Sequence, residues 1–313
     1  MRHYLILCLA CFVLFSCEEQ PGTESARAKT VSMMSSENGL SDVWYQGKAE
    51  VNTYDLVQNR YQDQHPGKAI LIFVTEDFLT DKQVKNDRYQ NPNSTGVLKT
   101  NYLRRFTTGF YDYSIMSSVF TPVETGEYPH TMKVTTSVQD WCGQVFMQLN
   151  LDGNRYKTQL RSYFEQEGDE NDRVPVALLE DELFNRIRMN PEALPTGRIE
   201  VLPGTAHARL KHEPFSVRMA TASLEPYSGD EFTGSDLMAY TLAFTDTKRE
   251  LMVVFERQAP HRIEGWTDAY PSVFDDQVRR TVAQRKETKW MPYWEQNSAS
   301  DTTLRADFGL DGF

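Results

Sequence analysis

The chain has 313 residues, 40% of them hydrophobic and 12% aromatic, which is enough for one large or two modest domains with real cores. Its 44 acidic against 33 basic residues give a formal net charge of −11. An acidic surface repels phosphate backbones and anionic lipid head groups, which argues against nucleic acid and against peripheral docking on a membrane.

Arg2 and His3 precede an apolar run from Tyr4 to Phe15 that contains no charge, and Ser16 and Cys17 follow. This is the pattern of a signal peptide. The run is roughly a dozen residues where a membrane-crossing helix needs about 20, so residues 1–16 read as a cleaved leader. Leu14, Phe15, Ser16 and Cys17 resemble the lipobox of bacterial lipoproteins, although Phe15 stands where a small residue is usual. The resemblance implies that Cys17 becomes the acylated N-terminus. Two or more acyl chains hold a protein stably, each buried methylene contributing about 0.8 kcal/mol, so the expected attachment to the membrane is the lipid on Cys17. Glu18 and Glu19 directly after it fit delivery to the outer membrane, facing the periplasm. Residues 17–40 are rich in Pro, Gly, Ser, Thr, Glu and Ala and read as a flexible stalk. Cys8 and Cys11 leave with the leader, so Cys142 is alone in the body and no intramolecular disulfide is expected there.

The body shows short β-type runs in chain order. Asn52 to Tyr61 and Lys68 to Thr75 read as a hairpin about the turn signal His65, Pro66, Gly67. Strands are expected at Val97 to Thr107, Ser114 to Val123, Thr131 to Gln139, Gln144 to Leu151 and Tyr156 to Phe164. The last two are joined by Asp152-Gly153, which supplies the positive φ of a tight turn. Val174 to Asn190 then changes period: Leu179, Leu183 and Ile187 recur every four residues, Glu180, Asp181, Glu182 and Arg186 face outward, and Pro191 ends the helix. Strands resume at Arg198 to Leu202, Ala206 to Lys211, Ser216 to Leu224, Leu237 to Phe244, Leu251 to Gln258 and Arg262 to Trp266, and Val278 to Trp290 reads as a strand in preference to a helix. The expected fold is therefore mainly β (α+β), with two curved antiparallel halves around one connecting helix, like an open clam or half-barrel. Its boundaries are an N-terminal half at 41–172, the helix at 173–191, a C-terminal half at 192–295 and a polar tail at 296–313.

Leu71-Ile72-Phe73-Val74-Thr75-Glu76-Asp77-Phe78, Trp141-Cys142-Gly143, Ser162-Tyr163-Phe164-Glu165 with Gly168-Asp169, and Leu194-Pro195-Thr196-Gly197 resemble an uncharacterised family of Bacteroidota lipoproteins along nearly the whole body. Members of that family often carry the label septum formation inhibitor Maf, which implies a nucleotide pyrophosphatase. Maf enzymes are cytosolic α/β proteins with a Ser-x-Ser-Pro-Arg-Arg phosphate motif, and no such string occurs in this chain.

Cys142 is the candidate nucleophile, with His130 as its base and Trp141 shaping a pocket. A free cysteine is more often a small buried hydrophobe, and burial is the expectation here. His207 and His212, five apart on an expected strand, point to opposite faces and would not share a metal. The acidic run Glu165, Glu167, Asp169, Glu170, Asp172 offers oxygen ligands but lacks a closing bidentate Glu, and reads as a solvated turn. No metal site and no cofactor is expected, since no phosphate loop, Gly-x-Ser-x-Gly elbow or His-Glu-x-x-His pair is present. Aromatic residues such as Tyr111, Tyr113, Trp141 and Trp290 fill a core or line a cleft. The reading these features favour is a non-enzymatic envelope lipoprotein that binds a hydrophobic ligand or an envelope protein. The alternatives are a cysteine-dependent enzyme and a scaffold of an envelope complex.

Overall fold

The computed structural model describes residues 40–311. Cys17, the leader and nearly all of the expected stalk lie outside the described residues. The body is mainly β, built on one curved sheet of 15 strands. The N-terminal strands are β1 (Ala49–Arg60), β2 (Asp63–Leu79), β3 (Ser94–Thr108), β4 (Tyr111–Pro122), β5 (Lys133–Gln139), β6 (Gln144–Asp152), β7 (Arg155–Ser162) and β8 (Asp169–Pro175). The C-terminal strands are β9 (Leu178–Leu179), β10 (Gly197–Leu202), β11 (Arg218–Pro226), β12 (Leu237–Phe244), β13 (Glu250–Glu256), β14 (Ile263–Pro271) and β15 (Val278–Met291). Each half is a run of neighbouring strands, and β1 pairs antiparallel with β15, Ala49 opposite Met291, to merge the halves. Among the described residues only β9 and β10 run parallel.

Two short helices, α1 (Leu183–Met189) and α2 (Thr205–Lys211), fill the inner face of the curve. The alternation of the strands decides which side chains meet them. Tyr54, Leu56, Leu71, Phe73, Leu98, Tyr240, Val253, Phe255 and Trp266 turn inward and pack with Leu183 and Ile187. A second inner cluster gathers Val134, Met147, Leu149 and Tyr156 with Ala206 and Leu210 of α2. A third helix, α3 (Leu304–Asp307), lies in the tail.

Four expectations are corrected. The first hairpin turns at Tyr61-Gln62, with Tyr61 at φ 58°, and Pro66 and Gly67 lie within β2 opposite Val57 and Leu56. Gly67 is required there by close approach, since a Cβ would sit 2.2 Å from the Arg105 carbonyl oxygen. The helix expected from Val174 shortens to Leu183–Met189, because Val174 and Pro175 finish β8 and Leu179 pairs with Leu202. Ala206 to Lys211 is helix, not strand: Ala206 and Leu210 stand one turn apart and bury together, in a segment of strong helix formers. The tail is not merely polar, for Phe308 and Leu310 cover Val51 and Ile70 on the outer face.

Segment 180–188 is tied to the sheet by buried polar contacts. Arg188 is fully buried and ion-paired with Glu50 of β1, with Trp44 and Phe73 rings 5.0 and 5.1 Å from its guanidinium carbon. Asn52 donates to Glu50 at 2.8 Å. Asn185 donates to the Leu98 carbonyl at 3.0 Å and to Thr121 Oγ1 at 2.9 Å. Removing one member of a buried pair strands the other charge, at about 3–5 kcal/mol. Glu50→Gln is therefore expected to lower unfolding free energy by about 3 kcal/mol in urea titrations. A change below 1 kcal/mol would show that the pair does not hold the helix to β1.

Candidate functional site

Two concave features flank α1. The first is an interior cavity of about 60 Å³ between the inner sheet face and the helices. Its apolar wall includes Val119, Leu183, Phe184, Leu251, Val253 and Trp266, and its polar wall includes Gln58, Tyr102, Arg104, Glu180, Asp181, His207, Asp268 and Tyr270. Thr100, Tyr102 and Arg104 are brought to it by the period of β3, Trp266, Asp268 and Tyr270 by that of β14. Residues of the two halves thus face one another across the space.

Charge in this wall is mostly matched. Arg249, buried, donates to Glu180 at 2.6 and 2.7 Å and to Asp268 at 2.8 and 3.1 Å. Burial by itself would raise Asp268, but Arg249 and then His207, 3.6 Å away, hold its carboxyl well below the usual range. Asp181 accepts from the Thr205 backbone N–H and hydroxyl, each at 2.9 Å. Burial pushes its pKa up to about 7 despite those bonds, and Glu180 adds to the rise. Arg104 is the exception. It is 9% exposed, its Nη1 reaches Gln58 Oε1 at 3.4 Å, and its Nε has no hydrogen-bond partner. Among the described residues no carboxylate forms an ion pair with it.

The second feature is a groove of about 640 Å³ between the loop after β4 and segment 176–195. Val123, Val176, Ala177, Leu178, Met189 and Leu194 make most of its wall, and His130, Glu182 and Arg186 supply its polar edge. Glu182 is itself buried, accepting from Thr131 Oγ1 at 2.5 Å and from Arg186 at 3.0 and 3.2 Å.

The candidate residues are therefore dispersed. Cys142 is exposed, in the turn after β5, where Asp140 accepts from the Cys142 and Gly143 backbone N–H groups at 2.7 and 3.1 Å. The expected burial is wrong because these bonds shape a tight turn that leaves no core for the thiol. His130 precedes β5 and Cys142 follows it, so a strand of roughly 20 Å separates them and no dyad is assembled. Trp141 is 65% exposed and meets the ring of Phe110 at 5.5 Å. Tyr113 is buried and stacked on Phe106 at 4.8 Å, while Tyr111 and Tyr113 share the Tyr61 hydroxyl at 2.5 and 2.7 Å. Trp290, half-buried, packs on Trp44 at 4.9 Å against the edge of the core.

His207 sits inside α2 and faces the cavity, whereas His212 caps that helix in left-handed conformation and contacts Glu167 at 2.9 Å. Their separation comes from the helix, not from the expected strand. Asp169, Glu170 and Asp172 lie on β8 and not in a turn. Glu180, Asp181 and Glu182, expected on an outer face, point inward, because they form the turn before α1 and find cations and hydroxyls inside. Among the described residues no His, Cys, Asp and Glu cluster could hold a metal, and no helix is long and apolar enough to cross a membrane.

No family model, curated protein or solved structure matches the chain.

Between pH 4 and 7 an unfolded Asp181 has released its proton while the folded one retains it, so its contribution to stability falls as pH rises and levels off above about 7. Discounted for the half-buried surface Asp181 retains, the fall is on the order of 2 kcal/mol. Asp181→Asn is expected to remove it, so the stability difference between variant and wild type shifts in favour of the variant from pH 4 to 7. A difference independent of pH would place the carboxyl in water. The exposed Cys142 is expected to react with a small thiol reagent without denaturant and at the same rate in His130→Ala; a slower rate in that variant would restore the dyad.

Proposed function

We propose that the protein is a lipid-anchored lipoprotein of the bacterial envelope, attached through Cys17 and facing the periplasm from the outer membrane, that binds a small amphipathic ligand in the groove beside α1. The groove's size and lining carry this reading. At about 640 Å³ it falls within the roughly 300–1,000 Å³ of small-molecule sites. Aliphatic side chains cover most of it, which suits a hydrocarbon or aromatic body, and His130 beside the Glu182–Arg186 ion pair at the edge suits a polar head. The resemblance to Bacteroidota lipoproteins and the lipobox-like residues support the address.

Organic-solvent extraction of protein purified from its native cells, followed by mass spectrometry, tests both halves of the proposal. A diacylated Cys17 peptide and a co-extracted small molecule are expected; an intact leader would overturn the address. On the body alone, the fluorescent probe anilinonaphthalene sulfonate is expected to bind saturably. Ala177→Trp or Met189→Arg, which fill or charge the groove, should weaken it about tenfold, equivalent to about 1.4 kcal/mol. Unchanged binding in both variants would remove the groove from the function.

An envelope protein as partner is the second reading. One observation favours it: Phe110, Trp141, Tyr163, Val273 and Phe274 are each more than 60% exposed, on turns at the end of the sheet away from the groove. Aromatic side chains held in water in this way are the usual anchors of protein contacts. Cross-linking in native cells that captures one partner with wild type but not with Trp141→Ala would favour this reading.

A further inference from the structure

The interior cavity carries a site of its own, separate from the groove. Arg104 projects from β3 into the interior cavity and keeps its Nε–H without a protein partner; its only carbonyl contact from a side chain is the long one to Gln58 Oε1 at 3.4 Å. Beside it the buried Tyr102 hydroxyl has no acceptor for its own proton, since its one polar neighbour, the Trp266 indole N–H, is itself a donor and the Trp266 ring stands edge-on to the Tyr102 ring at 5.3 Å. The guanidinium carbon lies 4.8 Å from the Tyr102 ring centroid, so the two residues form one unit. A guanidinium taken out of water without a counter-ion is costly, and such a group persists where something completes it.

What would complete it follows from geometry and size. The two unmet groups are donors, one of them the side of a guanidinium, which pairs with planar oxyanions. At roughly 10–15 Å³ for each water-sized occupant, about 60 Å³ admits about four to six heavy atoms. The cavity's own carboxylates are engaged elsewhere: Glu180 and Asp268 pair with Arg249, and Asp181 is held by Thr205 and feels Arg104 only at a distance, with no ion pair between them. Asp181 also keeps its proton up to about pH 7, which spares an incoming anion a like charge. Apolar Val119, Leu183, Leu251 and Val253 leave room opposite for a short hydrocarbon part. A second pocket shares His207 and Tyr270 with the cavity and is lined by Lys211 and Arg218 together with Glu213 and Asp246, so that side carries both signs of charge.

We propose that this cavity binds a small aliphatic carboxylate, one oxygen taking the Arg104 Nε–H and the other the Tyr102 hydroxyl.

Sodium acetate titrated into the full chain, followed by thermal unfolding and calorimetry, tests it. A saturable rise in Tm is expected with acetate and not with sodium chloride of equal ionic strength. Arg104→Gln is expected to weaken acetate about tenfold or more, and Tyr102→Phe, which preserves the ring packing, about fivefold. Arg280→Gln, at a surface arginine paired with Glu231, is expected to leave the affinity unchanged. If Arg104→Gln does not fold, Tyr102→Phe decides. No saturable response in wild type, or equal affinity in wild type and Tyr102→Phe, would overturn the proposal and leave the cavity to water. The groove probe is not involved, so this result stands apart from that of the groove.

Discussion

A short charged segment placed in an apolar interior holds the two halves of the sheet to one another. Glu180 reaches Arg249 of the C-terminal half, Glu182 and Asn185 reach Thr131, Thr121 and the Leu98 carbonyl of the N-terminal half, and Arg188 reaches Glu50 on the seam strand. Each group would cost several kcal/mol if left unpaired away from water. The segment therefore has few alternative positions: a shift along the sheet would break several pairs at once. Of these residues Glu180 also lines the cavity and Glu182 the groove, so the structural constraint bears on both candidate sites.

Most of the strands were legible because their inner faces are buried and their outer faces are not, which imposes period two on the sequence. β5, β6 and β7 alternate in this way and fall within a few residues of expectation. The failures occurred where tertiary contacts overrode local pattern. His65-Pro66-Gly67 has turn chemistry, yet the close approach of Arg105 and Phe106 requires glycine inside the strand. Ala206 to Lys211 is too short to show a helical period clearly. Glu180-Asp181-Glu182 looked like a solvated helix face because sequence alone does not reveal that Arg249, from a distant turn, enters the core to meet it.

The candidate sites were less legible than the fold. Cys142 drew attention as the lone thiol, but its turn lies at the far end of β5 from His130. The residue with the sharper signal was Arg104. It alternates in β3 with Leu98, Thr100, Tyr102 and Phe106, so a strand reading already places a full charge on the buried face. Which partner such a charge would meet depends on β14 and on the helices, and neither is a neighbour of β3 in sequence or in the sheet.

The sheet remains open, and its outermost N-terminal strand bears on how the molecule behaves in company. In β8 the run Asp169-Glu170-Asn171-Asp172-Arg173 is exposed, with Val174 alone turned to the core. A bare strand edge is a template on which another chain can add its own strand, the first step of fibrillar association. Three carboxylates along that edge repel a second copy of the same edge, and they do so without contributing a single core contact. The acidic run thus disfavours strand addition by a second copy of this chain at the open edge, through charge alone.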